Sequence, residues 1–184
     1  MNSINLAEKL ITKKIYLKKF DKSFERDFLE YSINKDLYKY FEYEIKKIRD
    51  AKNYFKIIIN KQKKGKVFFY GIILKETNKC VGSISIKNYD HVRKSLEIGY
   101  AINPNFQRRN LFYTSAKTLI EYLFKKKKIK RIYATTSVDN IGSIKSLKKL
   151  KFKKEGRLIS YYMIRKQKNY YSDAFIYSFI NNEI

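Results

Sequence analysis

The sequence predicts one domain of the mixed α/β class, and three observations carry that prediction. β-rich runs and amphipathic helical runs follow one another in the order β-α-α-β-β-β-α-β-α-β-β. No Pro/Gly/Ser-rich linker divides the 184 residues, and no repeat of roughly 20–50 residues recurs. Hydrophobic residues make up 44% of the chain and aromatic residues 16%, enough to build a core despite the charge.

Taken in order, residues 11–18 alternate apolar Ile15 and Leu17 with Lys14 and Lys18 and read as an edge strand. Ser23 is placed to cap a helix over 24–33, whose apolar stripe is Phe24, Phe28, Leu29 and Tyr31. An aromatic connector, residues 38–43, leads to a second helix over 48–63 carrying Ala51, Tyr54, Phe55, Ile58 and Ile59. Residues 67–74 and 80–89 flank the turn Glu76-Thr77-Asn78-Lys79 as an antiparallel hairpin. A second turn at 91–94 leads to a strand over 95–102. A helix over 110–126 follows, with Leu111, Ala116, Leu119, Ile120, Leu123 and Phe124 near one face. The remaining elements are a strand at 131–137, a helix at 140–149, and strands at 152–158 and 174–180. Antiparallel pairing is expected first, then a strand-helix-strand unit open to parallel pairing.

Composition narrows the function classes. The chain carries 42 Lys and Arg against 17 Asp and Glu, a net charge of +25. That excess suits an anionic partner such as ribosomal RNA or a phosphorylated cofactor. It equally suits the codon bias of an A/T-rich genome, given abundant Lys, Ile, Asn and Tyr, and both readings stay open. There is no apolar run long enough for a bilayer and no signal-like N-terminus, so a cytoplasmic protein is expected. Cys80 is the only cysteine and His91 the only histidine. These leave no basis for a disulfide, a zinc cluster, or a Ser-His-Asp or Cys-His nucleophile system. A phosphate loop of the GxxxxGK[ST] type is absent, and the acidic residues are too scattered to indicate glycoside chemistry.

The stretch from 95 to 112 carries the most chemistry. An apolar strand ends in Asn103-Pro104-Asn105, and the basic loop Gln107-Arg108-Arg109-Asn110 opens the next helix. Free backbone N–H groups, a helix N-terminus and two guanidinium groups then meet in one place. That is a site for a phosphate-bearing ligand, with a solvated basic face as the alternative.

On these residues the sequence resembles the GCN5-related N-acetyltransferases, and among them the branch that acetylates ribosomal-protein N-termini. The family's acetyl-CoA loop, Gln/Arg-x-x-Gly-x-Gly/Ala at a helix start, falls on Gln107, Arg108, Arg109, Asn110, Leu111 and Phe112. Its second signature, Asn-x-x-Ser, an apolar helix, then Gly-Phe, falls on Asn140, Ser143 and Lys151-Phe152. Glu97-Ile98-Gly99-Tyr100, Asn103-Pro104, residues 73–86 and residues 170–179 also match, from about residue 11 onward.

The resemblance implies a mixed, mostly antiparallel sheet flanked by helices over the whole chain. It implies an acyltransferase moving acetyl from acetyl-CoA to a primary amine. Protein N-termini, polyamines and amino sugars remain open as acceptors, the basic surface favouring a substrate embedded in RNA. It implies no membrane association, and a monomer or homodimer. Glu97 is then the base candidate, through a water, and Ser143 the acid, with a lysine salt bridge and an ordinary helix cap as their alternatives. Ala101 and Ile102 pair their backbone with pantetheine, and Asn140 contacts the pantetheine arm. Asn103, Gln107, Arg108, Arg109, Asn110, Leu111 and Phe112 hold the cofactor, and Tyr161 and Tyr162 line the acceptor pocket. The chain departs from the pattern at Asn110, Phe112 and Lys151. Asn tolerates a left-handed backbone, whereas a ring at Phe112 either crowds the pyrophosphate or turns into the core. The departures also motivate an alternative, a non-catalytic module binding CoA, RNA or protein.

Overall fold

The computed structural model describes residues 4–164 and 170–183. Its strands are β1 (Lys9–Ile11), β2 (Ile15–Lys19), β3 (Phe68–Leu74), β4 (Cys80–Asp90), β5 (Ser95–Ile102), β6 (Arg131–Ser137), β7 (Lys153–Ile164) and β8 (Tyr170–Ile180). The helices are α1 (Glu25–Ser32), α2 (Ile48–Lys63), α3 (Leu111–Lys127) and α4 (Ile141–Lys149). All eight strands form one sheet in the order β1-β2-β3-β4-β5-β6-β8-β7. Every pairing is antiparallel except β5 with β6. The 28 residues between Ile102 and Arg131, with α3 among them, give the length a parallel connection requires.

Each face of the sheet takes one pair of helices. Tyr70, Ile72, Ile84, Ile86, Leu96 and Ile98 join the buried faces of α3 and α4 in the main core. On the other face Phe20, Phe28, Phe55, Ile58 and Ile73 pack α1 and α2. Polarity of the helix ends separates the two pairs. α1 has Glu25 and Asp27 in its first turn and α2 has Asp50, which satisfy the positive N-terminal dipole. The first turns of α3 and α4 carry no acidic residue, so their fields remain available to an anion. Gly82 fixes the spacing of β4 and β5, since a Cβ there would lie 2.5 Å from the Ala101 carbonyl oxygen.

Four expectations are corrected. The strand expected over 11–18 is not an edge: Thr12 closes a tight turn through both backbone and Oγ1 bonds with Ile15, and β1 pairs outside β2. Ser23 is not the cap ahead of α1. Asp21 accepts from the Ser23 N–H at 2.8 Å and caps a short 3-10 turn from which α1 continues. The last two strands run longer than their apolar cores, and β8 inserts between β6 and β7. Among the described residues the strand count is eight rather than seven, β1 being the additional one.

Candidate active site

β5 and β6 begin side by side and then part. Their paired residues are Ser95 with Arg131, Leu96 with Ile132 and Glu97 with Tyr133. Among the described residues no pair follows, so Ile98–Ile102 presents an open strand edge toward β6 while its other edge is held by β4. A cavity of about 410 Å³ occupies the gap. Tyr54, Phe41 and Tyr43 line it on the α1/α2 side, Glu97 to Ala101 and Ala134 to Ser137 along the strands, and Asn140 and Ser143 at the start of α4. The gap thus joins the two faces of the sheet, and groups reaching it from opposite sides meet beside β5.

Glu97 sits at the last paired position and is 6% exposed. Burying a carboxylate is costly unless it is paired, and here Lys87 Nζ lies 3.0 Å from Oε1 and Asn88 Nδ2 donates to Oε2 at 2.8 Å. Thr135 Oγ1, 3.5 Å from Oε1, also shares a 2.5 Å hydrogen bond with the Tyr162 hydroxyl. Burial pushes the Tyr162 phenol up to about 12, against the pull of Thr135, so it stays protonated. The lysine bridge weighed as an alternative to catalysis is thus present, and the carboxylate faces the cavity as well.

Ser143 and Asn140 lie at the other mouth. Asn140 Oδ1 accepts from the Ser143 N–H at 3.1 Å, the N-cap geometry its residue type favours. Ser143 is 8% exposed and lines the cavity with Tyr100. Burial raises the Tyr100 phenol above its ordinary value, while hydrogen bonding to the Ser143 and Ser146 side chains opposes the rise. The sequence marks Tyr100 only as the last residue of the matching Glu97-Ile98-Gly99-Tyr100 run and assigns it no role of its own. Its position two residues before the open Ile102 edge was the available signal.

The loop after β5 is ordered by its own side chains. Asn103 is buried and accepts from the Asn105 N–H at 3.1 Å, so its amide shapes the turn instead of reaching outward. Gln107 Nε2 donates back to the Ile102 carbonyl at 3.2 Å. Arg109 donates to the Asn105 carbonyl at 3.4 Å, its guanidinium 5.0 Å from the Phe106 ring centre. Arg108 (φ 61°) and Asn110 (φ 56°) both take the left-handed conformation. The first bond into α3 runs from the Thr114 N–H to the Asn110 carbonyl. The amides of Leu111, Phe112 and Tyr113 thus have no intrahelical acceptor. Lys149 adds an ammonium, 3.0 Å from Asn110 Oδ1.

The departures from glycine are accommodated. Asn110 adopts the positive φ a glycine would supply, and Lys151 does the same at φ 66°. Phe112 turns into the core: it is 6% exposed and stacks on Tyr100 at 3.5 Å between ring centres. Of the two orientations left open for the ring, the structure has the inward one, which leaves its backbone N–H toward the loop. Leu111 packs its side chain on the same core. Of Tyr161 and Tyr162, Tyr162 lines the cavity, whereas Tyr161 is 48% exposed and does not. The connector at 38–43, read only as a linker, contributes Tyr38, Tyr40, Phe41, Glu42 and Tyr43 to the cavity wall.

Comparison with known proteins fits this geometry. The model of the acetyltransferase (GNAT) domain family matches residues 14–153. An uncharacterized N-acetyltransferase of Bacillus subtilis, YnaD, is 26% identical over 149 residues, covering 80% of this chain and 84% of that one. The Bacillus licheniformis N-acetyltransferase p20 is 32% identical over 114 residues, 62% of each chain. A GNAT-family acetyltransferase structure from Bacillus anthracis superposes with a TM-score of 0.80 at 24% identity, covering 94% of this chain and 98% of that one. The RimL ribosomal L7/L12 alpha-N-protein acetyltransferase, in complex with coenzyme A, gives 0.83 at 19% identity, covering 94% and 97%. With the family model spanning most of the chain, this protein belongs to the GNAT acetyltransferases and is an N-acetyltransferase.

Proposed function

We propose that acetyl-CoA lies along the open edge of β5 and that the amine acceptor meets its thioester from the α1/α2 side. The observation that carries this reading is the parting of β5 from β6 after Glu97, which leaves a strand edge and a through-going cavity together. The residues fit the cosubstrate. The Ile98–Ile102 edge offers main-chain groups to an amide-bearing pantetheine arm, in the manner of an added strand. The unbonded amides at the start of α3, with Arg108, Arg109 and Lys149 around them, suit a pyrophosphate.

Glu97 takes the proton of the incoming ammonium, through a water, and Lys87 and Asn88 hold its carboxylate in place. The freed amine forms the N–C bond as the C–S bond breaks. The leaving thiolate receives a hydrogen bond from the Ser143 hydroxyl, which hands on to it the second proton that the nitrogen sheds on becoming an amide and so stays neutral; Tyr100 orients that hydroxyl. The acceptor proposed is a primary amine at a protein N-terminus. A ribosomal protein suits the net charge of +25, and the names of two structural neighbours, RimL and a ribosomal-protein-S5-alanine acetyltransferase from Vibrio fischeri, support it. The enzyme would work in the cytoplasm as a monomer or homodimer.

Steady-state release of CoA tests the assignment. Glu97→Gln should lower kcat roughly 10²–10⁴-fold, the usual worth of a general base, with little change in the KM for acetyl-CoA. Ser143→Ala should lower kcat likewise. Normal turnover in either variant removes that residue from the mechanism. The non-catalytic alternative loses its motive once Asn110, Phe112 and Lys151 are seen to be accommodated.

A further inference from the structure

The acceptor side of the cavity has a wall of aromatic rings. Tyr38, Phe41, Tyr43 and Tyr54 form one continuous ring cluster. Tyr38–Phe41 and Phe41–Tyr43 centres lie 5.7 Å apart, and Tyr43–Tyr54 centres 5.3 Å apart. Their polar tips are occupied by one another and by the backbone. The Tyr43 and Tyr54 hydroxyls bond at 2.9 Å, and the Tyr38 hydroxyl donates to the Ser32 carbonyl. Ring faces and edges are thus what the cluster offers, with Leu37 and Ile57 beside them in the wall.

Charge is equally selective. Among the described lysines and arginines only Lys61 and Lys87 line the cavity, and Lys87 is tied to Glu97. Among the described residues of the wall no guanidinium fork faces a carboxylate or phosphate on the acceptor. A polyamine would bring further ammonium groups past a strongly cationic surface, with Glu42 the one acidic side chain besides Glu97 among the described wall residues to receive them.

We infer that the acceptor is a primary amine on an uncharged apolar or aromatic body, which the Tyr38–Tyr54 cluster receives while Glu97 faces the nitrogen. The inference rests on the acetyl-transfer reading and narrows its substrate. Such a group occurs either on a small arylalkyl amine or at a chain N-terminus that begins with an apolar residue. The cavity of about 410 Å³ accepts either.

CoA release at saturating acetyl-CoA, measured with 2-phenylethylamine, a phenylalanine-leading peptide amide, a glycine-leading peptide amide, free phenylalanine and spermidine, tests this. One of the first two should exceed the last three in kcat/KM by at least roughly tenfold, the discrimination a hydrophobic subsite supplies, and which of them wins separates the two sources. Tyr43→Ser should raise the KM of the preferred amine roughly tenfold and leave that of acetyl-CoA unchanged, while Tyr43→Phe keeps most of the preference. If Tyr43→Ser fails to fold, Phe41→Ser serves the same comparison. A preference for spermidine, free phenylalanine or the glycine-leading peptide overturns the inference while leaving acetyl transfer intact. If no amine supports turnover, binding of 2-phenylethylamine to the CoA-loaded protein decides. Saturable binding weakened by Tyr43→Ser upholds the subsite and sinks the transfer reading, whereas no binding overturns the subsite as well.

Discussion

Replacing Phe112 by alanine separates a core residue from a cofactor residue. The ring is 6% exposed and lies 3.5 Å from the Tyr100 ring centre, tilted by 16°. A buried phenylalanine removes roughly 150 Å² or more from water, which at about 25 cal/mol/Å² is worth about 4 kcal/mol. The general cost of Phe→Ala in a core, about 3–5 kcal/mol, agrees. At roughly 2–4 °C per kcal/mol for a chain of this size, Phe112→Ala should melt about 8–16 °C below the wild type. Urea unfolding of wild type, Phe112→Ala and Phe112→Leu, alongside equilibrium titration with acetyl-CoA, measures both sides. Leucine should recover most of the loss, because it refills the volume. A variant of unchanged stability that binds acetyl-CoA more tightly would show the ring crowding the pyrophosphate, and the reasoning would fail.

Two further outcomes follow from charged and reactive groups elsewhere. Arg131 Nη1 donates to Glu155 Oε1 at 2.6 Å, and with Ser178 it holds the Glu155 carboxyl down at about 2. The folded value is the depressed one, so the stabilisation is complete above an unfolded pKa near 4.5 and is lost as pH falls toward 2. The side chain is 36% exposed, and solvent screening reduces the effect to about 1 kcal/mol. Glu155→Gln should lower Tm by roughly 2–4 °C at pH 7 and by little at pH 2; an equal drop at both rules out the charge as the cause. Burial likewise pushes the Cys80 thiol up to about 12, leaving on the order of 10⁻⁴ as thiolate at pH 8. Iodoacetamide should label Cys80 only after denaturation, and rapid labelling of the native protein would place the thiol at the surface.

Local chemistry made much of the site legible in the sequence. The alternation of Leu96, Ile98 and Ile102 marked β5, Asn140 in front of an apolar helix marked a cap, and Asn110 suited the left-handed turn it takes. Harder to read was whatever depended on partners distant in the chain. β8 enters between β6 and β7 because Tyr133 pairs with Ser178 and Lys153 with that same Ser178 from the other side, a choice no local pattern encodes. Asp21 and Ser23 are both good capping residues, and the sequence does not say which side chain turns inward. The connector at 38–43 has no helical or strand period, so its aromatics looked like linker until folding set them opposite Glu97. Phe112 kept two open readings because the inward one needed Tyr100 as its partner across the fold.

Amide hydrogen exchange with and without saturating acetyl-CoA addresses the proposed cosubstrate site most directly. Binding along the open edge should slow exchange across residues 98–102 and 108–113, the edge amides and those at the start of α3 that lack an intrahelical acceptor. Residues 68–74, in the interior strand β3, should exchange as before. Protection confined to another part of the chain, or none at millimolar acetyl-CoA, would contradict the placement of the cosubstrate along the open edge of β5 and the start of α3.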